Sequence, residues 1–385
     1  MRRAAEEVKL SKQPGNDGFV ECGVSVDGTW QKRGYSSLNG CVTALSIETG
    51  KVLDLEVMSS FCNTCRKLER LPEDTEERLE LEPHQCSSNY KGSAPNMEPV
   101  GAYRIFERAP SRHGIRYMDY YGDGDSKSFL RVEDIYEGKE VRKLECIGHV
   151  QKRVGCRLRK LKKVVKGLGG KGKLTDMFID RLQNYYGIAI RSNVGDFNGM
   201  RQAVIAAFFH CVSRRDKPLH GQCPQGKDSW CSYQKCKADG CLEMYKPKAG
   251  LPDAVINKVK PVYMELCEEK LLRKCLHGKT QNANESFNGV LWQRLPKSNF
   301  VGLNTFMNGA SDAVMQFNEG FIGLLCVFRG LDIDPGYYTV QGYTKLDNER
   351  VTEARRLSTP AANRQRKIRR AQRKKKNCTM KLKKG

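Results

Sequence analysis

The 385-residue sequence has no long apolar run. Its first 18 residues, MRRAAEEVKLSKQPGNDG, lack the apolar core of a secretion signal, and no later stretch is apolar enough to span a membrane. We therefore expect a reducing compartment, the cytosol or the nucleus, where clusters of the 16 cysteines bind zinc more readily than they form disulfides. With 39% hydrophobic residues, the chain can bury one large core or two ordinary ones.

Acidic residues are in short supply, with 44 Asp and Glu against 67 Lys and Arg. Residues 361–385 hold 12 of the basic residues and no acid, yet the rest of the chain is still basic, at 55 against 44. Such a charge suits a polyanion, because neutralised phosphates release condensed counterions. We therefore expect a nucleic acid partner. The tail should be disordered and should act as a nuclear-import signal, a nonspecific DNA arm, or both.

Alternating apolar residues predict a strand over residues 20–26 that ends in an acid, Asp27. Two further strands are expected over 38–47 and 52–58. The short Glu48-Thr49-Gly50-Lys51 connection between them predicts an antiparallel meander. The chain therefore opens with three strands.

A second acid follows a later strand. We expect a helix over 97–112 and then an aromatic strand over 116–121 that runs into Asp123. Another helix near 126–136 and a strand near 141–146 complete this part.

A third acid, Glu285, lies in the first turn of a helix that is predicted from Asn284 onward. This order is expected of an α/β, ribonuclease-H-like domain with a mixed sheet and a large, mainly helical insertion before the third acid. If the three carboxylates converge, they can hold two Mg²⁺ or Mn²⁺ ions about 3.5–4 Å apart and cut or join phosphodiesters. An isolated Asp after a strand is more often a turn residue, so the hypothesis depends on the ordered set.

Four segments carry a family resemblance: VSVDGTW at 24–30, YYGDGDSKSF at 120–129, ECIGH at 145–149 and TQNANESFN at 280–288. They resemble the Mutator-like transposase domain over about residues 18–335. The resemblance implies an acidic triad of Asp27, Asp123 and Glu285, with Asp125 as the alternative to Asp123. It also implies a Cys-x-x-His signature between the second and third acids, where Cys146 and His149 lie.

The implied reaction is hydrolysis at transposon ends, followed by attack of the freed 3′-hydroxyl on target DNA, without a covalent enzyme intermediate. DNA is the implied partner, and a homo-oligomer is a further hypothesis. Two other functions stay open, a transposase-derived DNA-binding protein that does not cut and a ribonuclease-H-like nuclease that does not join. Only 26 residues precede Asp27, so we expect a fragment or truncated copy without the upstream domain that binds terminal repeats.

Close pairs of cysteine and histidine predict a first zinc site. Cys62 and Cys65 form one pair, and His84 and Cys86 form the other after 18 intervening residues. Four such ligands suit a structural, tetrahedral zinc ion. The alternative is a set of unrelated side chains in a loop-rich insertion.

A second candidate zinc site joins Cys146 and His149 to Cys275 and His277, which would pin both ends of the helical insertion beside the acids. Alternatively, His149 contacts DNA or supports a metal ligand. A third cluster, whose pairing the sequence does not resolve, contains His210, Cys211, His220, Cys223 and Cys231.

A run of basic residues after the Cys-x-x-His signature predicts a DNA-contacting helix face, although many charged helices are simply solvated. The run consists of Lys152, Arg153, Arg157, Arg159, Lys160, Lys162 and Lys163. The expected organisation along the chain is an N-terminal extension (1–17), a first part of the core (18–149) with a Cys/His insertion (60–95), a helical insertion (150–275), a closing part of the core (276–335) and a basic, largely disordered tail (336–385).

Overall fold

A five-stranded mixed sheet organises the first part of the chain in the computed structural model. The strands are β1 (Val20–Trp30), β2 (Asn39–Ser46), β3 (Val52–Ser59), β4 (Ile115–Gly122) and β5 (Arg142–Glu145), in the spatial order β3-β2-β1-β4-β5. β1, β2 and β3 pair antiparallel, which confirms the predicted meander, whereas β4 pairs parallel to both β1 and β5. The structure describes residues 1–32, 36–73, 75–123, 127–247, 250–366, 368–370 and 372.

Fourteen helices are assigned within these residues. They are α1 (Arg2–Ser11), α2 (Asn63–Leu68), α3 (Glu76–Leu81), α4 (Ala94–His113), α5 (Ile147–Val164), α6 (Asp176–Arg191), α7 (Phe197–Val212), α8 (Ser232–Ala238), α9 (Asp253–Met264), α10 (Glu269–Arg273), α11 (Asn282–Arg294), α12 (Leu303–Glu319), α13 (Leu325–Gly330) and α14 (Tyr337–Ser358). None of these helices is long and apolar enough to cross a membrane.

The apolar residues of the strands and of α4 form one core. Val24 and Val26 of β1 pack in it with Ile105 and Phe106 of α4, because alternate strand residues point to the same side of the sheet. The helix is fixed to β3 by Arg108, which donates two hydrogen bonds to the buried carboxylate of Asp54 (2.7 and 2.9 Å).

Several predicted boundaries change. β1 does not end at Asp27 but continues three residues to Trp30, because residues 24–30 pair along their whole length with β2. α4 begins at Ala94 rather than at residue 97. The predicted helix near 126–136 is reduced, within the described residues, to a single 3₁₀ turn at Phe129–Arg131.

The N-terminal residues that we predicted as an extension include α1, which buries Ala4, Ala5 and Val8 in the core of the sheet. The residues predicted as a helical insertion, 150–275, include α6 to α10 and most of α5. α5, α6, α7, α9 and α10 contribute to a second apolar core, in which Tyr186 and Tyr263 are fully buried.

The chain divides into two compact units, residues 1–307 and 308–385. This boundary lies inside the predicted closing part, 276–335. In the second unit, α14 occupies the first half of the region that we predicted as a largely disordered tail from residue 336, so that half is helical. Within this unit, Asp347 of α14 accepts hydrogen bonds from the backbone of Phe321 and Ile322 (both 3.0 Å).

Candidate active site at the acidic edge of the sheet

Two of the predicted acids lie at matching positions on neighbouring strands. β1 and β4 run parallel, with Ser25 opposite Tyr121. Asp27 lies in β1 and Asp123 directly follows β4, each two residues after this pair, so both lie at the same edge of the sheet, toward which the two parallel strands run. Asp27 is partly buried and Asp123 is exposed.

Alternate residues of β1 face α11. The Ser25 hydroxyl donates to Asn284 Oδ1, and Asn284 Nδ2 donates to the Ser25 carbonyl (3.1 Å). Two residues further along the strand, Asn288 Nδ2 donates to Asp27 Oδ2 (2.8 Å). Residues two apart on a strand point to the same side, as do residues four apart on a helix, so Ser25 and Asp27 can both bond to α11.

The same helix face continues in both directions. Gln281 Nε2 donates to the Val26 carbonyl (2.9 Å), and Trp292 Nε1 donates to Thr29 Oγ1 (2.8 Å). These contacts hold α11 along β1 over three helical turns. Glu285 follows Asn284 and is exposed in the first turn, as predicted, so its carboxylate is carried to the edge where Asp27 lies.

The carboxylates of this edge influence one another. The pKa of Asp27 is raised to about 6. Burial is the largest cause and the Glu285 and Asp123 carboxylates add to the increase, whereas the hydrogen bond from Asn288 and the charge of His149 lower it. Asp27 therefore has both other predicted acids close enough for electrostatic repulsion. The three do not form a group whose oxygens all lie within 4.8 Å of one another among the described residues. A two-ion site does not require that, because its ligands are shared between ions about 3.5–4 Å apart.

Glu98 is a fourth acid at this edge that sequence reasoning missed. It lies on α4, accepts a hydrogen bond from Ser128 Oγ (3.2 Å), and packs against Gly28, where an added Cβ would lie 2.9 Å from the Glu98 side chain. The pKa of Glu98 is raised to about 7, chiefly by burial and also by the charges of Asp27 and Asp123, whereas the hydrogen bond from Ser128 lowers it. In the sequence, Glu98 is recognisable only as a residue near the start of a predicted helix. Nothing in that position indicates that the side chain lies near the ends of β1 and β4.

His149 and Arg153 approach Asp123 from the first turns of α5. His149 Nδ1 lies 3.3 Å and Arg153 Nη2 lies 3.7 Å from Asp123 Oδ1, and the same Arg153 nitrogen donates to the buried Glu145 carboxylate (2.6 Å). This favours the alternative interpretation of His149 as a support for an acid. The runner-up acid Asp125 lies outside the described residues.

The predicted zinc site at Cys146, His149, Cys275 and His277 is wrong in geometry. These four residues are all described, and no three of them gather as a metal-binding group. His277 instead bonds through Nε2 to the Glu145 carbonyl (3.1 Å) and packs edge-on against Tyr121.

Hydrogen bonds join the two ends of the helical insertion in place of a metal. The backbone amide of Glu145 donates to the Lys274 carbonyl (3.0 Å), and the amide of Ile147 donates to the Lys279 carbonyl (3.3 Å). The Gln281 amide donates to Cys146 Sγ (3.4 Å). From the sequence, we expected the two ends of the insertion to lie together, held by a zinc ion. They do lie together, but hydrogen bonds hold them and no shared metal ion is needed.

The first predicted Cys/His cluster does gather. Cys62, Cys65, His84 and Cys86 bring one ligand atom each to within 4.8 Å of the others. His84 Nε2 lies 3.5 Å from Cys62 Sγ and 3.3 Å from Cys65 Sγ, while Nδ1 faces the Leu81 carbonyl (3.1 Å). The sequence interpretation of these four residues as one site therefore fits the geometry.

The third cluster also resolves into a group of four. His210, His220, Cys223 and Cys231 bring their ligand atoms to within 4.8 Å of one another, and Cys211 is not a member. Cys211 adjoins His210 on α7, and its side chain packs in the core of the insertion, as expected for neighbours on a helix that point in different directions.

Four of the seven basic residues predicted to contact DNA form ion pairs on the protein. Arg153 pairs with Glu145, as noted, and Arg157, Arg159 and Lys162 pair with Glu265, Asp180 and Asp176. The other three are exposed on one face of α5, at the spacing i, i+8 and i+11: Lys152, Lys160 and Lys163. They lie on α5, whose first turn contains His149, beside the acidic edge.

The sheet, its helical layers and the acidic edge define a mixed α/β protein. The chain belongs to the Mutator-like transposase family, whose family model matches residues 1–231. This match covers Asp27, Asp123 and the complete first Cys/His cluster, and it ends before Glu285, so it is shorter at the C-terminal side than the resemblance that we expected. No curated protein matches the chain. Family membership implies a transposase function and DNA as a partner in general.

Proposed function

We propose that this chain is the catalytic domain of a Mutator-like DNA transposase, with Asp27, Asp123 and Glu285 as its metal-binding acids. The observation that carries the proposal is the arrangement of the two parallel strands and α11. Ser25 and Tyr121 set the register of the first two acids. Three side chains of α11, and that of Gln281 directly before it, bond to β1 beside the third. Three acids separated by long stretches of chain thus share one edge.

A ribonuclease-H-like fold is part of the same proposal. Three antiparallel strands, a helix, a parallel fourth strand and a later helix occur in the expected order. The insertion of α5–α10 lies between the second and third acids, as that interpretation requires.

The donor set of the acidic edge fits a hard divalent cation such as Mg²⁺ or Mn²⁺. Carboxylate oxygens are the ligands that these ions prefer. The Glu285 and Asp123 carboxylates add to the effect of burial in raising the pKa of Asp27, and a bound cation would relieve that repulsion. Bound ions of this kind activate the attacking oxygen and stabilise the leaving oxygen of a phosphodiester. Asn288 orients the Asp27 carboxylate, and His149 and Arg153 hold that of Asp123.

The exposed face of α5 is the proposed path for DNA. Lys152, Lys160 and Lys163 lie on the helix whose first turns contact Asp123, so phosphates bound along this face would lead to the acidic edge. The four paired basic residues stabilise the insertion and are weaker candidates. Transposon ends and target DNA are the proposed substrates, and nuclear localisation and a homo-oligomer stay proposals.

We also propose that Cys62, Cys65, His84 and Cys86 bind a structural zinc ion. In a tetrahedral site with Zn–S of about 2.3 Å and Zn–N of about 2.0 Å, two ligand atoms lie about 3.5–3.8 Å apart. The observed separations are close to this, at 3.3 and 3.5 Å for sulfur to nitrogen and 3.5 Å between Cys65 Sγ and Cys86 Sγ.

A strand-transfer assay tests the proposed activity. The protein is incubated with Mg²⁺ or Mn²⁺, a supercoiled plasmid, and duplexes that end in the inverted repeats flanking its own coding region. We expect joined products, and a loss of at least about 10³-fold in rate for Asp27→Asn, since removing a charged group that acts on the reacting phosphate typically has an effect of this size. Asn282→Ala, an exposed change on α11, is the matched control and should join normally.

Other outcomes select the alternatives. Metal-dependent cutting without joining would indicate a nuclease. Binding of the duplexes without cutting would indicate a transposase-derived DNA-binding protein. Activity that survives in Asp27→Asn would contradict the assignment of the acid even if the family's reaction takes place.

A further inference from the structure

The segment between α7 and α9 has almost no apolar core of its own. Within residues 214–247 the buried residues are His220, Cys223, Ser229, Cys231 and Gln234. None of them is an aliphatic or aromatic hydrocarbon side chain. Because small folded segments without sufficient apolar burial require a disulfide or a metal, another interaction must hold this segment in place.

Cysteine and histidine side chains converge at the centre of the segment. Cys223 Sγ lies 3.7 Å from His210 Nδ1 and 3.9 Å from His220 Nδ1, and Cys231 Sγ lies 3.5 Å from His220 Nδ1. These separations bracket the value of about 3.6 Å that a sulfur and a nitrogen adopt on one tetrahedral zinc ion. Both thiols are free rather than joined in a disulfide.

The histidine rings are oriented for this role. His220 Nε2 lies 3.0 Å from Ser213 Oγ and 3.2 Å from Tyr245 Oη, which leaves Nδ1 facing the two sulfurs. Such a hydrogen bond on the distal nitrogen is usual for a zinc-bound histidine, because it fixes the tautomer and the ring plane. The His220 carbonyl in turn accepts a hydrogen bond from the buried Gln234 (2.7 Å).

We propose that His210, His220, Cys223 and Cys231 form a structural zinc centre that anchors the segment between α7 and α9 to the helical insertion. His210 comes from the last turn of α7, and the other three come from the segment. Two thiolates and two neutral imidazoles balance the charge of Zn²⁺ and fill a tetrahedral shell, so the centre is structural and not catalytic. The inference is independent of the proposed phosphodiester chemistry.

Zinc content of the full-length protein, purified under reducing conditions without chelator, tests the centre. We expect Cys223→Ser/Cys231→Ser to contain one zinc equivalent fewer than the wild type, whatever the Cys62 cluster binds. Cys156→Ser, which removes an exposed cysteine of α5, should leave the content unchanged. His220→Cys, which preserves a ligand, should retain the zinc that His220→Ala loses. Equal zinc content in the wild type and the double variant would overturn the proposal.

A second measurement covers the case in which a variant fails to fold. Wild-type protein is stripped of metal, divided, and digested with trypsin with and without added Zn²⁺. We expect zinc to slow cleavage by at least tenfold after the exposed basic residues of the segment, such as Arg215, Lys227, Lys235 and Lys237. Cleavage at these residues at the same rate with and without zinc would overturn the proposal. A Cys223–Cys231 disulfide that persists in protein purified under reducing conditions would also overturn it.

Discussion

The acidic edge of the sheet and the two Cys/His clusters differ in what holds them together. β1 pairs with β2 at Asp27 and with β4 as far as Ser25, and α11 is bonded to β1 through Asn284 and Asn288, so the scaffold is complete without a cation. In the Cys62 cluster, α2 and α3 bury no residue, and the segment of the His210 cluster buries no hydrocarbon side chain. Under the proposed assignments, a metal would therefore have a chemical role in the first region and a folding role in the others.

Repulsion sharpens this difference. Burial first, and then the charges of the neighbouring carboxylates, raise the pKa of Asp27 and Glu98, so the empty site carries charge repulsion that the proposed cation would relieve. The Cys/His clusters gain structure when their ligands are brought together. The proposed cation would therefore relieve repulsion in a fold that is already formed at the acidic edge, whereas the proposed zinc ions would hold the Cys/His segments in their folded state.

Selective metal removal should give the largest contrast. A strong zinc chelator should expose the amides of residues 62–86 and 214–247 to hydrogen exchange at nearly the rate of an unfolded peptide, because structural zinc contributes about 10 kcal/mol or more to such sites. Removal of Mg²⁺ alone should leave β1 and α11 folded, with exchange that rises only as much as the lost binding energy of the ion allows. Hydrogen-exchange mass spectrometry measures both, and exchange of β1 at the rate of an unfolded peptide on Mg²⁺ removal would contradict the comparison.

Asn284→Ala should have an intermediate effect. Asn284 is fully buried and exchanges two hydrogen bonds with Ser25, so its loss leaves buried polar groups unsatisfied and should lower the free energy of unfolding by about 1–3 kcal/mol. Because α11 also carries Glu285, the strand-transfer rate should fall with it. The exposed Asn282→Ala on the same helix is the control in denaturant unfolding, and equal stability of the two variants would argue against α11 as the element that holds the edge.

Asp27→Asn should have the smallest effect on stability, and with the opposite sign. The raised pKa means that the folded state disfavours the charged carboxylate, so this contribution to stability falls as pH rises from the ordinary value of 3.8 through about 6. At pH 7.5 without divalent cations, the neutral amide should raise the free energy of unfolding by about 1–2 kcal/mol. Thermal unfolding with and without Mg²⁺ measures this.

A comparison of thermal unfolding with and without Mg²⁺ distinguishes a metal-binding role of Asp27 from a structural one. Mg²⁺ should raise the melting temperature of the wild type and leave that of Asp27→Asn unchanged, because only the wild type binds the ion tightly. A variant that is less stable than the wild type in the absence of Mg²⁺ would mean that Asp27 is a structural residue and not one of a repelling set.

Local patterns in the sequence predicted several elements correctly. The alternation over residues 20–26 gave the face of β1, since Val24 and Val26 enter the core and Asp27 does not. The close Cys62/Cys65 and His84/Cys86 pairs predicted a cluster that does gather, because two short pairs need only one loop to close.

Predictions that depended on distant residues were less secure. Cys146 and His277 do lie where the two ends of the insertion meet, but backbone hydrogen bonds join them, and no pattern of residue types distinguishes such pairing from a metal site. Glu98 was missed for the same reason, because it lies on α4 and its neighbours, Gly28 and Ser128, are distant from it in the sequence. The predicted tail contains α14, whose residues are not buried.

By itself, the sequence determined the order of strands and helices, the basic character of the chain and the residue types available for metals, since each depends on neighbours in the chain. Only the tertiary structure decided which side chains meet, because contacts such as Asn288 with Asp27, or His210 with Cys223, depend on how strands and helices pack. Packing is set by the burial of a whole core, and no local segment contains that information.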